Sequence, residues 1–388
     1  MKLLIVNDGL GTNLGDRAIL DSMLLDIKNV LPSAEIQVFP NSDMLSINQY
    51  LKFWHSLKKC DLFIFGGGQE IQDQASVTFL ISGLLKIFLA KLHKKSVYCY
   101  ALGVGPVRRK ISKLLIRLVL NRVDLITVRD QSSRELLHNL KINKIPIHIT
   151  ADPAFNLEIN KDTDVQNIFT VENIPYDNKP KIVFTLRRWF HYHHFFLPMR
   201  FRNKLISHQD SARFSNFLRI ISGFIDQLVE IYSARIIFLP MRKLEKRKDP
   251  GQDDDIVISE ITSLIDSNHN IRTIEGNYTP AEIKTFLGKT DLVFGMRMHS
   301  LLLASTMGVP VIGLNLSEKF DSFFKLINQQ DYLIELENLT IQKLLNVFSA
   351  AWENRKIISK DLLNRKLILQ KTASANQKFL LDLVGNIE

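Results

Sequence analysis

The sequence predicts an α/β protein with two doubly wound, Rossmann-like domains that face a cleft. Short apolar runs alternate with segments of helical periodicity, which is typical of parallel sheets covered by helices on both faces. The alternation is interrupted at the polar residues 157–180, and 388 residues exceed one ordinary hydrophobic core. We therefore expect an N-terminal domain over 1–165, a C-terminal domain over 180–340 and a helical tail over 341–388.

The first domain begins with the predicted strand KLLIVND, followed by the helix GDRAILDSMLLDIKNVL and the strand EIQVFP. Further apolar strands are predicted at CDLFIFGGG, KSVYCYALGVGP and DLITVRD, and the helix SSRELLHNL leads to HITADPAF. Several of these strands end in glycine-rich or charged loops. In doubly wound sheets, ligands bind beyond the carboxyl ends of the strands.

The second domain starts at the strand KIVFTLRRWF and continues with the helix FSNFLRIISGFIDQLVEIY, the strand RIIFLPM and the helix DIVISEITSLIDS. The segments IRTIEG and PAEIKTFLGKTDLVFGMRMH precede the helix SLLLASTMG and the strand PVIGL. The tail is expected to pack back across both domains. Two such domains in one chain suggest the glycosyltransferase-B type of architecture, which places the binding site in the cleft between them.

The composition is that of a soluble globular protein, with 46% hydrophobic and 23% charged residues. The formal charge of +10 favours an anionic partner, but it does not choose among phosphorylated metabolites, acidic glycan precursors, anionic lipid and nucleic acid.

Cys60 and Cys99 lack the spacing of metal ligands and are expected to be buried, reduced thiols. The N-terminus lacks signal-peptide features, and the run VTFLISGLLKIFLA is shorter than the roughly 20 residues that span a bilayer. A cytoplasmic protein is therefore expected.

The loop after the first predicted strand, NDGLGTNLGDRAI, contains Asn13 and Asp16, which we assign to the acceptor side of the cleft. Gly11 and Gly15 let the backbone pass close to a ligand, and Asp16 can cap the following helix. A tight, capped turn without any ligand explains this loop equally well. The spacing matches neither G-x-G-x-x-G nor a Walker A loop, so nucleotide binding is not predicted.

The third predicted strand ends in FGGGQEIQD. Consecutive glycines cost backbone entropy, so we interpret Gly67 and Gly68 as a turn that contacts substrate rather than as simple packing. Asp73 is assigned either to a helix cap or to a sugar hydroxyl. In VRDQSS, by contrast, Arg129 and Asp130 are interpreted as a local structural ion pair.

The strongest functional signal is GMRMHSLLLA, where a strand passes into a helix. The helix N-terminus supplies free N–H groups, Arg297 adds a full positive charge, and His299 can carry a proton near neutral pH. In FTLRRWF, Arg187 and Arg188 follow another strand and suggest a clamp for a carboxylate or phosphate. A lone histidine is more often structural, but this pattern favours an anion site with an acid/base.

Other polar and amphipathic segments are less informative. HYHHFF at 191–196 lacks acidic partners, and DPGQDDD at 249–255 lacks the calcium-loop pattern, so no metal site is predicted. We interpret the second segment as a charged helix start from which one carboxylate can reach the cleft.

The predicted helix RRKISKLLIRLVLNR has one apolar face formed by Ile111, Leu114, Leu115, Leu118 and Val119. A core helix with a basic outer side is the preferred interpretation. The alternative is a helix on the anionic inner face of a membrane.

Together, NLGDRAI, FGGGQEIQD, ALGVGPV, VRDQSS, ADPAF and RMHSLLLASTMGVPVIGLNLSEK resemble the polysaccharide pyruvyltransferase family, over roughly residues 1–320 and in the family's order. The resemblance implies a glycosyltransferase-B-like fold and transfer of a pyruvyl group from phosphoenolpyruvate onto sugar hydroxyls as a ketal. It implies that Arg187 and Arg297 bind the donor together with Lys319, that Met298 offers backbone contacts, and that His299 is the catalytic acid/base. The sequence departs from the family at Leu14, at GLNLSEK, and in an insertion near 190–213.

Ketal formation from an enol phosphate requires protonation of the methylene carbon, addition of a hydroxyl, loss of phosphate and closure by a second hydroxyl. A histidine and arginines suit these steps. The resemblance implies bacterial exopolysaccharide or cell-surface glycan synthesis on a sugar or lipid-linked acceptor, with phosphoenolpyruvate as co-substrate, no cofactor and no nucleic acid. Magnesium assistance and peripheral membrane association stay open, as do two other functions: a glycosyltransferase using a nucleotide sugar, and a non-catalytic binder of anionic glycans.

Overall fold

The computed structural model describes residues 1–41, 47–74, 76–159, 165–188, 208–243, 253–266 and 268–385. In these residues the chain forms two six-stranded parallel sheets, each flanked by helices. The predicted fold class, two Rossmann-like α/β domains, is confirmed. Among the described residues, no helix has the length and apolar character needed to span a bilayer.

The first sheet has the strand order β2-β1-β3-β4-β5-β6, with the bounds β1 Lys2–Val6, β2 Glu35–Phe39, β3 Leu62–Gly66, β4 Ser96–Leu102, β5 Leu125–Val128 and β6 Ile147–Ile149. Its helices are α1 Leu14–Val30, α2 Ile47–Lys59, α3 Val77–Leu92, α4 Lys110–Leu120 and α5 Gln131–Asn139. The central strands are continuous apolar runs because helices cover both faces of the sheet.

The second sheet has the order β12-β11-β10-β7-β8-β9, with the bounds β7 Lys181–Thr185, β8 Arg235–Phe238, β9 Ile271–Thr273, β10 Leu292–Gly295, β11 Val311–Asn315 and β12 Leu333–Glu335. The remaining helices are α6 Val165–Val171, α7 His208–Tyr232, α8 Asp254–Thr262, α9 Pro280–Leu287, α10 Met298–Thr306, α11 Glu318–Leu326, α12 Ile341–Glu353 and α13 Arg355–Gly385. The edge strand β12 has only three residues and was not among the predicted strands.

The polar segment 157–180 is more than the linker expected from its composition. It contains α6, whose Ile168 and Phe169 are buried in the core of the second domain. The four apolar residues of α6 lie in a helix of only seven residues, which is too short to be recognised by periodicity within a polar stretch. The helix is identified by the packing of Ile168 and Phe169 into the core.

Helix α13 lies across both sheets. Leu369 is buried in the core of the second domain, and Leu380 is buried in that of the first. Between them, the buried Oδ1 of Asn376 accepts hydrogen bonds from Tyr98 OH at 3.1 Å and Thr127 Oγ1 at 2.7 Å. The C-terminal helix therefore ties the two sheets together.

The predicted core face of α4 is wrong. Ile111, Leu114 and Leu118 are 49%, 50% and 45% exposed. The buried residues of α4 are instead Ser112, Ile116, Val119 and Leu120. Helix α4 carries two apolar stripes. Its packing against α3 and the sheet buries the stripe that contains Ile116, Val119 and Leu120, and the stripe formed by Ile111, Leu114 and Leu118 stays exposed.

Candidate active site

The two domains meet where the loop after β1 contacts the loop after β8. The N–H of Leu14 donates to the carbonyl of Met241 at 2.9 Å, and Asn13 forms an isolated antiparallel bridge with Arg242. Farther along, the hydroxyls of Ser132 and Ser322 lie 2.9 Å apart across the cleft. The loops after strands of both sheets thus enclose the same space.

This space includes a cavity of about 220 Å³. Its polar and charged lining comes from both domains and consists of Asn13, Asp16, Gln69, Gln72, Gln74, Arg129, Arg187, Arg297, His299, Ser317 and Lys319. Among the described residues that line it, Asp16 is the one carboxylate, whereas four side chains are arginine or lysine. The cavity is therefore suited to a small anion.

His299 is the second residue of α10 and faces the N-terminal domain. Its Nε2 is buried and lies 3.4 Å from Oδ2 of Asp152. On its other side the ring packs on Gly15, where a Cβ would lie only 2.6 Å from Nδ1. The glycine of the NLGD motif is thus required for close approach by the imidazole.

Asp152, from the ADPAF motif, joins His299 to Arg129. Its Oδ2 accepts from Nη1 of Arg129 at 2.6 Å, and its Oδ1 accepts from the N–H of Ala154 at 3.0 Å. Burial alone would raise the pKa of Asp152, but Arg129, His299 and this N–H outweigh burial and lower that pKa to about 2. The carboxylate therefore stays ionised beside the imidazole.

The predicted local ion pair of Arg129 with Asp130 is present, with Nε and Oδ2 3.9 Å apart. It is the longer of two pairs, because Asp130 also caps α5 by accepting from the N–H of Ser133, and Arg129 binds Asp152 at 2.6 Å. Arg129 also lines the cavity, so its role is more than the local structural one expected. The pair with Asp152 was missed because 23 residues separate the two side chains in the sequence.

Arg297 forms a bidentate ion pair with Asp254, which fixes its guanidinium. Its Nε donates to Oδ2 of Asp254 at 3.0 Å, and its Nη2 donates to Oδ1. Asp254 is 1% exposed, and its Oδ2 also accepts from the N–H groups of Met241 and Arg242. Arg297 is thus a positioned cation rather than a free anion ligand, although its Nη1 has no hydrogen-bond partner among the described residues.

The carboxylate behind Arg297 comes from the DPGQDDD segment, whose residues 249–252 lie outside the described part of the chain. Within it, Asp253 caps α8 and Asp254 reaches Arg297, which lines the cavity. The interpretation of this segment as a charged helix start therefore agrees with the structure.

Arg187 and Lys319 are two further cations of the cavity. Burial and the neighbouring Arg297 and Arg242 lower the pKa of Arg187 to about 9, although Asp254 opposes them. Burial, followed by the charges of Arg129 and Arg187, lowers the pKa of Lys319 to about 7. Burial is the larger cause of both shifts, and the neighbouring arginines add to it because positive charges repel one another.

Arg188 does not join this group. Its Nη2 lies 3.2 Å from Oε1 of Glu260, and its guanidinium carbon lies 4.2 Å from the ring centroid of Phe214. Of the two adjacent arginines, only Arg187 lines the cavity.

Asn13 and Asp16 both line the cavity, but their roles in the helix differ from the prediction. Asn13, not Asp16, caps α1, since its Oδ1 accepts from the N–H of Gly15 at 3.0 Å. Its Nδ2 donates to Oδ2 of Asp16 at 2.7 Å. The cap therefore orients the cavity's carboxylate.

The prediction that Gly67 and Gly68 contact substrate is not supported, because neither residue lines the cavity. Gly67 has a φ of +93°, and a Cβ there would lie 2.9 Å from Nδ2 of Asn7 and from Ile19. A Cβ on Gly68 would lie 3.1 Å from Oε1 of Glu70. The glycines permit close packing, and the lining is supplied by the glutamines that follow them.

Asp73 is not the helix cap that one of its two assignments proposed, because Ser76 caps α3 and the start of α4 has no side-chain cap. Its carboxylate oxygens accept from the N–H groups of Arg108 and Arg109 at 2.9 and 2.8 Å. The side chain is buried and does not line the cavity, so the assignment to a sugar hydroxyl is wrong.

Two further spaces adjoin the cavity. One, of about 340 Å³, shares Gln69, Arg129 and Lys319 with it and extends along polar side chains to Arg108. The other, of about 700 Å³, is lined by one arginine and by the carboxylates Glu318, Asp321, Glu335 and Glu337.

The HYHHFF segment and most of the 190–213 insertion lie outside the described residues. Within the described ranges, no group of three or more His, Cys, Asp or Glu is arranged to hold a metal ion.

The sequence matches the family model described as polysaccharide pyruvyl transferase over residues 13–318. It is also similar to the amylovoran biosynthesis protein AmsJ of Erwinia amylovora, with 20% identity over 323 residues, covering 82% of this chain and 72% of AmsJ. The family match spans every residue of the cavity up to Ser317.

The structure is similar to those of glycosyltransferase-B-type enzymes. UDP-GlcNAc 2-epimerase from Neisseria meningitidis has a TM-score of 0.61 at 14% identity, with both chains fully covered. The enzyme from Methanocaldococcus jannaschii has a TM-score of 0.58 at 16% identity, covering 98% and 99% of the two chains. E. coli heptosyltransferase II has a TM-score of 0.50 at 11% identity, covering 92% and 100%. At such identities these likenesses establish the fold alone.

Proposed function

Because the chain belongs to the polysaccharide pyruvyl transferase family and is a transferase of polysaccharide biosynthesis, we propose that it transfers a pyruvyl group from phosphoenolpyruvate onto two hydroxyls of a sugar as a ketal. The observation that carries this proposal is the small cationic cavity at the junction of α10 with the N-terminal domain. It brings an acid/base and several cations together in about 220 Å³.

The size and charge of the cavity favour a small anion over a nucleotide sugar. Pockets for drug-sized ligands commonly have volumes of roughly 300 to 1,000 Å³. Both adjoining spaces reach such a volume, but the larger one carries four carboxylates and one arginine, which would repel a diphosphate. Phosphoenolpyruvate, with one carboxylate and one phosphate, matches the cavity in both size and charge.

Arg187 and Lys319 are the donor ligands in this proposal. Both line the cavity, and burial together with repulsion by neighbouring cations lowers their pKa values to about 9 and about 7. An incoming anion relieves that repulsion. Arg297 contributes positive charge at a fixed position, since Asp254 binds two of its guanidinium nitrogens.

His299 is the acid/base in this proposal, and Asp152 is its positioning residue. Asp152 faces Nε2, so Nδ1 is the nitrogen that exchanges the proton with substrate. The imidazolium first protonates the methylene carbon of phosphoenolpyruvate, and C2 becomes electrophilic. A sugar hydroxyl then forms a C–O bond to C2 and gives its proton to the neutral imidazole.

Cleavage of the C2–O bond to phosphate next releases inorganic phosphate and leaves an oxocarbenium centre at C2. The second hydroxyl adds to that centre and loses its proton to the released phosphate or to solvent. The products are one ketal and one phosphate. Cations around the cavity stabilise the departing anion.

The acceptor sugar is assigned to the adjoining space of about 340 Å³. That space is lined by hydroxyl and amide side chains that suit hydrogen bonds to a sugar, including Gln69, Ser132 and Asn139. It shares Arg129 and Lys319 with the donor cavity. A sugar bound there would present its hydroxyls to C2 of the donor.

The decisive experiment is donor identification. Calorimetry and thermal shift with phosphoenolpyruvate are expected to show binding, whereas UDP-, GDP- and CMP-sugars are expected to show none. With an acceptor glycan, phosphate release should match ketal-linked pyruvate one to one. Turnover should persist in EDTA, because the proposal requires no cofactor. Binding of a nucleotide sugar alone would assign the protein to glycosyl transfer, and glycan binding without turnover would make it a binder.

A further inference from the structure

All of the excess positive charge of the chain arises from one segment. Residues 74–123 contain ten lysines and arginines and no aspartate or glutamate, and the remaining residues contain 40 of each sign. The net charge of +10 is therefore not spread over the molecule. In the structure this segment forms α3, β4 and α4.

Helices α3 and α4 pack against each other and expose apolar stripes. On α3, the exposed residues Ile81, Leu85, Phe88 and Leu92 recur at helical spacing, with exposures of 42% to 63%. On α4, Ile111, Leu114 and Leu118 also recur at helical spacing, with exposures of 45% to 50%. Two neighbouring stripes of large side chains are more than the scattered exposed residues of an ordinary surface.

Exposed basic residues surround these stripes. Arg108 and Lys110 lie at the start of α4, Lys113 and Arg117 lie along it, and Arg122 follows it. We propose that this surface, formed by α3 and α4, docks on an anionic lipid bilayer. Apolar side chains enter the headgroup boundary while lysines and arginines meet acidic headgroups.

Charge complementarity favours lipid over a second copy of the chain. Helices α3 and α4 contain no acidic residue, and although Asp124, just beyond α4, pairs with Lys91 of α3, the basic residues along α4 would repel those of an identical surface on contact. An anionic bilayer neutralises the same residues and buries the stripes at once. The surface is also continuous with the cleft, because the 340 Å³ space is lined by Pro106 and Arg108, immediately before α4.

Docking there would bring the cleft to the membrane surface. That consequence, but not the docking itself, rests on the proposed function, since an acceptor carried on a lipid would then reach the donor cavity. Vesicle binding is measured without turnover. Its failure and the failure of the proposed reaction are therefore separate results.

The test is co-sedimentation of the full chain with vesicles of phosphatidylcholine alone and of equal parts phosphatidylcholine and phosphatidylglycerol. Binding is expected only to the anionic vesicles and should weaken in high salt. Lys113→Gln with Arg117→Gln should reduce partitioning about fivefold per residue. Leu114→Ser with Leu118→Ser should reduce it roughly tenfold per residue.

The matched controls lie on α13. Lys356→Gln with Lys360→Gln removes two exposed charges, and Ile357→Ser with Leu367→Ser removes two residues that are 64% and 66% exposed. Both pairs are expected to bind vesicles like the unmodified chain, and circular dichroism checks that every variant is folded. Equal binding to both vesicle types, or unchanged binding of the α4 variants, overturns the proposal. So does a concentration-dependent dimer that Leu114→Ser with Leu118→Ser dissociates.

Discussion

Nε2 of His299 lies 3.4 Å from Oδ2 of Asp152, although one residue begins a helix of the second domain and the other follows the last strand of the first sheet. The same carboxylate is bound by Arg129. Docking of the two domains therefore assembles the imidazole, the carboxylate and the guanidinium. Neither domain contains this arrangement alone.

His299→Gln should preserve folding and donor binding but lower kcat by roughly 10²- to 10⁴-fold, the usual contribution of a positioned acid/base. His138→Gln, at an exposed position on α5, is the matched control and should be fully active. Melting temperature and turnover are measured on the same preparation. A destabilised His299 variant with normal turnover per folded molecule would show that this histidine is structural.

Gly15→Ala should impair catalysis without unfolding the protein. The new Cβ would lie 2.6 Å from Nδ1 of His299 and 2.8 Å from its Cβ, so the imidazole must move away. Gly11→Ala in the same loop is the control, because its Cβ meets only the carbonyl of Asp8, at 3.4 Å. We expect kcat to fall at least tenfold for Gly15→Ala alone, a loss of about 1.4 kcal/mol of transition-state stabilisation. Equal activities of the two variants would contradict the role given to this contact.

Asp152→Asn should destabilise the protein at pH 7 by about 3 kcal/mol, because it leaves the buried Arg129 without the closer of its two carboxylates. The pKa of Asp152 is lowered to about 2, below its unfolded value of 3.8. Its stabilising contribution is therefore fully present above pH 3.8 and is lost as the pH falls through 2. Urea unfolding at several pH values should show the two proteins converging only in strong acid.

The same substitution distinguishes positioning from a purely structural role. Asp152 lies beside Nε2 of His299 and does not line the donor cavity, so Asp152→Asn should lower kcat per folded molecule while leaving the Kd of phosphoenolpyruvate unchanged. Turnover and calorimetry on the same preparation measure the two quantities. Normal turnover per folded molecule would mean that Asp152 acts on the fold alone.

Arg187→Ala should weaken phosphoenolpyruvate binding about tenfold or more, because a charge-assisted hydrogen bond contributes roughly 1.5 to 3 kcal/mol. Arg188→Ala is the adjacent control and should bind the donor normally, since its guanidinium contacts Glu260 and Phe214. Calorimetry measures both. Equal loss in the two variants would indicate a general electrostatic effect rather than a ligand.

Arg297→Ala is expected to behave differently from Arg187→Ala. It should lose donor affinity and also destabilise the fold by about 3 kcal/mol or more, because Asp254 would remain buried without its cation. Chemical denaturation measures this difference. A stable Arg297→Ala variant that fails only in binding would show that Asp254 tolerates the loss.

Donor affinity should fall as pH rises above about 7. Lys319 has its pKa lowered to about 7, and its protonated form is the one that attracts an anion. Bound phosphoenolpyruvate raises that pKa, so binding near pH 8 should take up a proton. Calorimetry in buffers of different ionisation enthalpy detects this uptake. It should vanish in Lys319→Met and persist in Lys325→Met, which lies at an exposed position of the same helix.

Local patterns in the sequence were sufficient for the two α/β domains and for the junction at Arg297 and His299. Strand and helix periodicity depends on neighbouring residues, and the change from strand to helix at GMRMHS is visible in a few letters. The charge of +10 and its confinement to residues 74–123 are likewise properties of the chain alone.

Only the tertiary structure decided which charged side chains pair with one another. The shorter ion pair of Arg129 is made with Asp152 rather than with the adjacent Asp130, and Arg297 is matched to Asp254, which is 43 residues away. The lowered pKa of Lys319 likewise depends on cations from three separate loops. Packing also decided which of two apolar stripes of α4 is buried. Such pairings depend on distances of a few ångströms between distant segments, and Coulomb energy and burial are set by those distances rather than by sequence spacing.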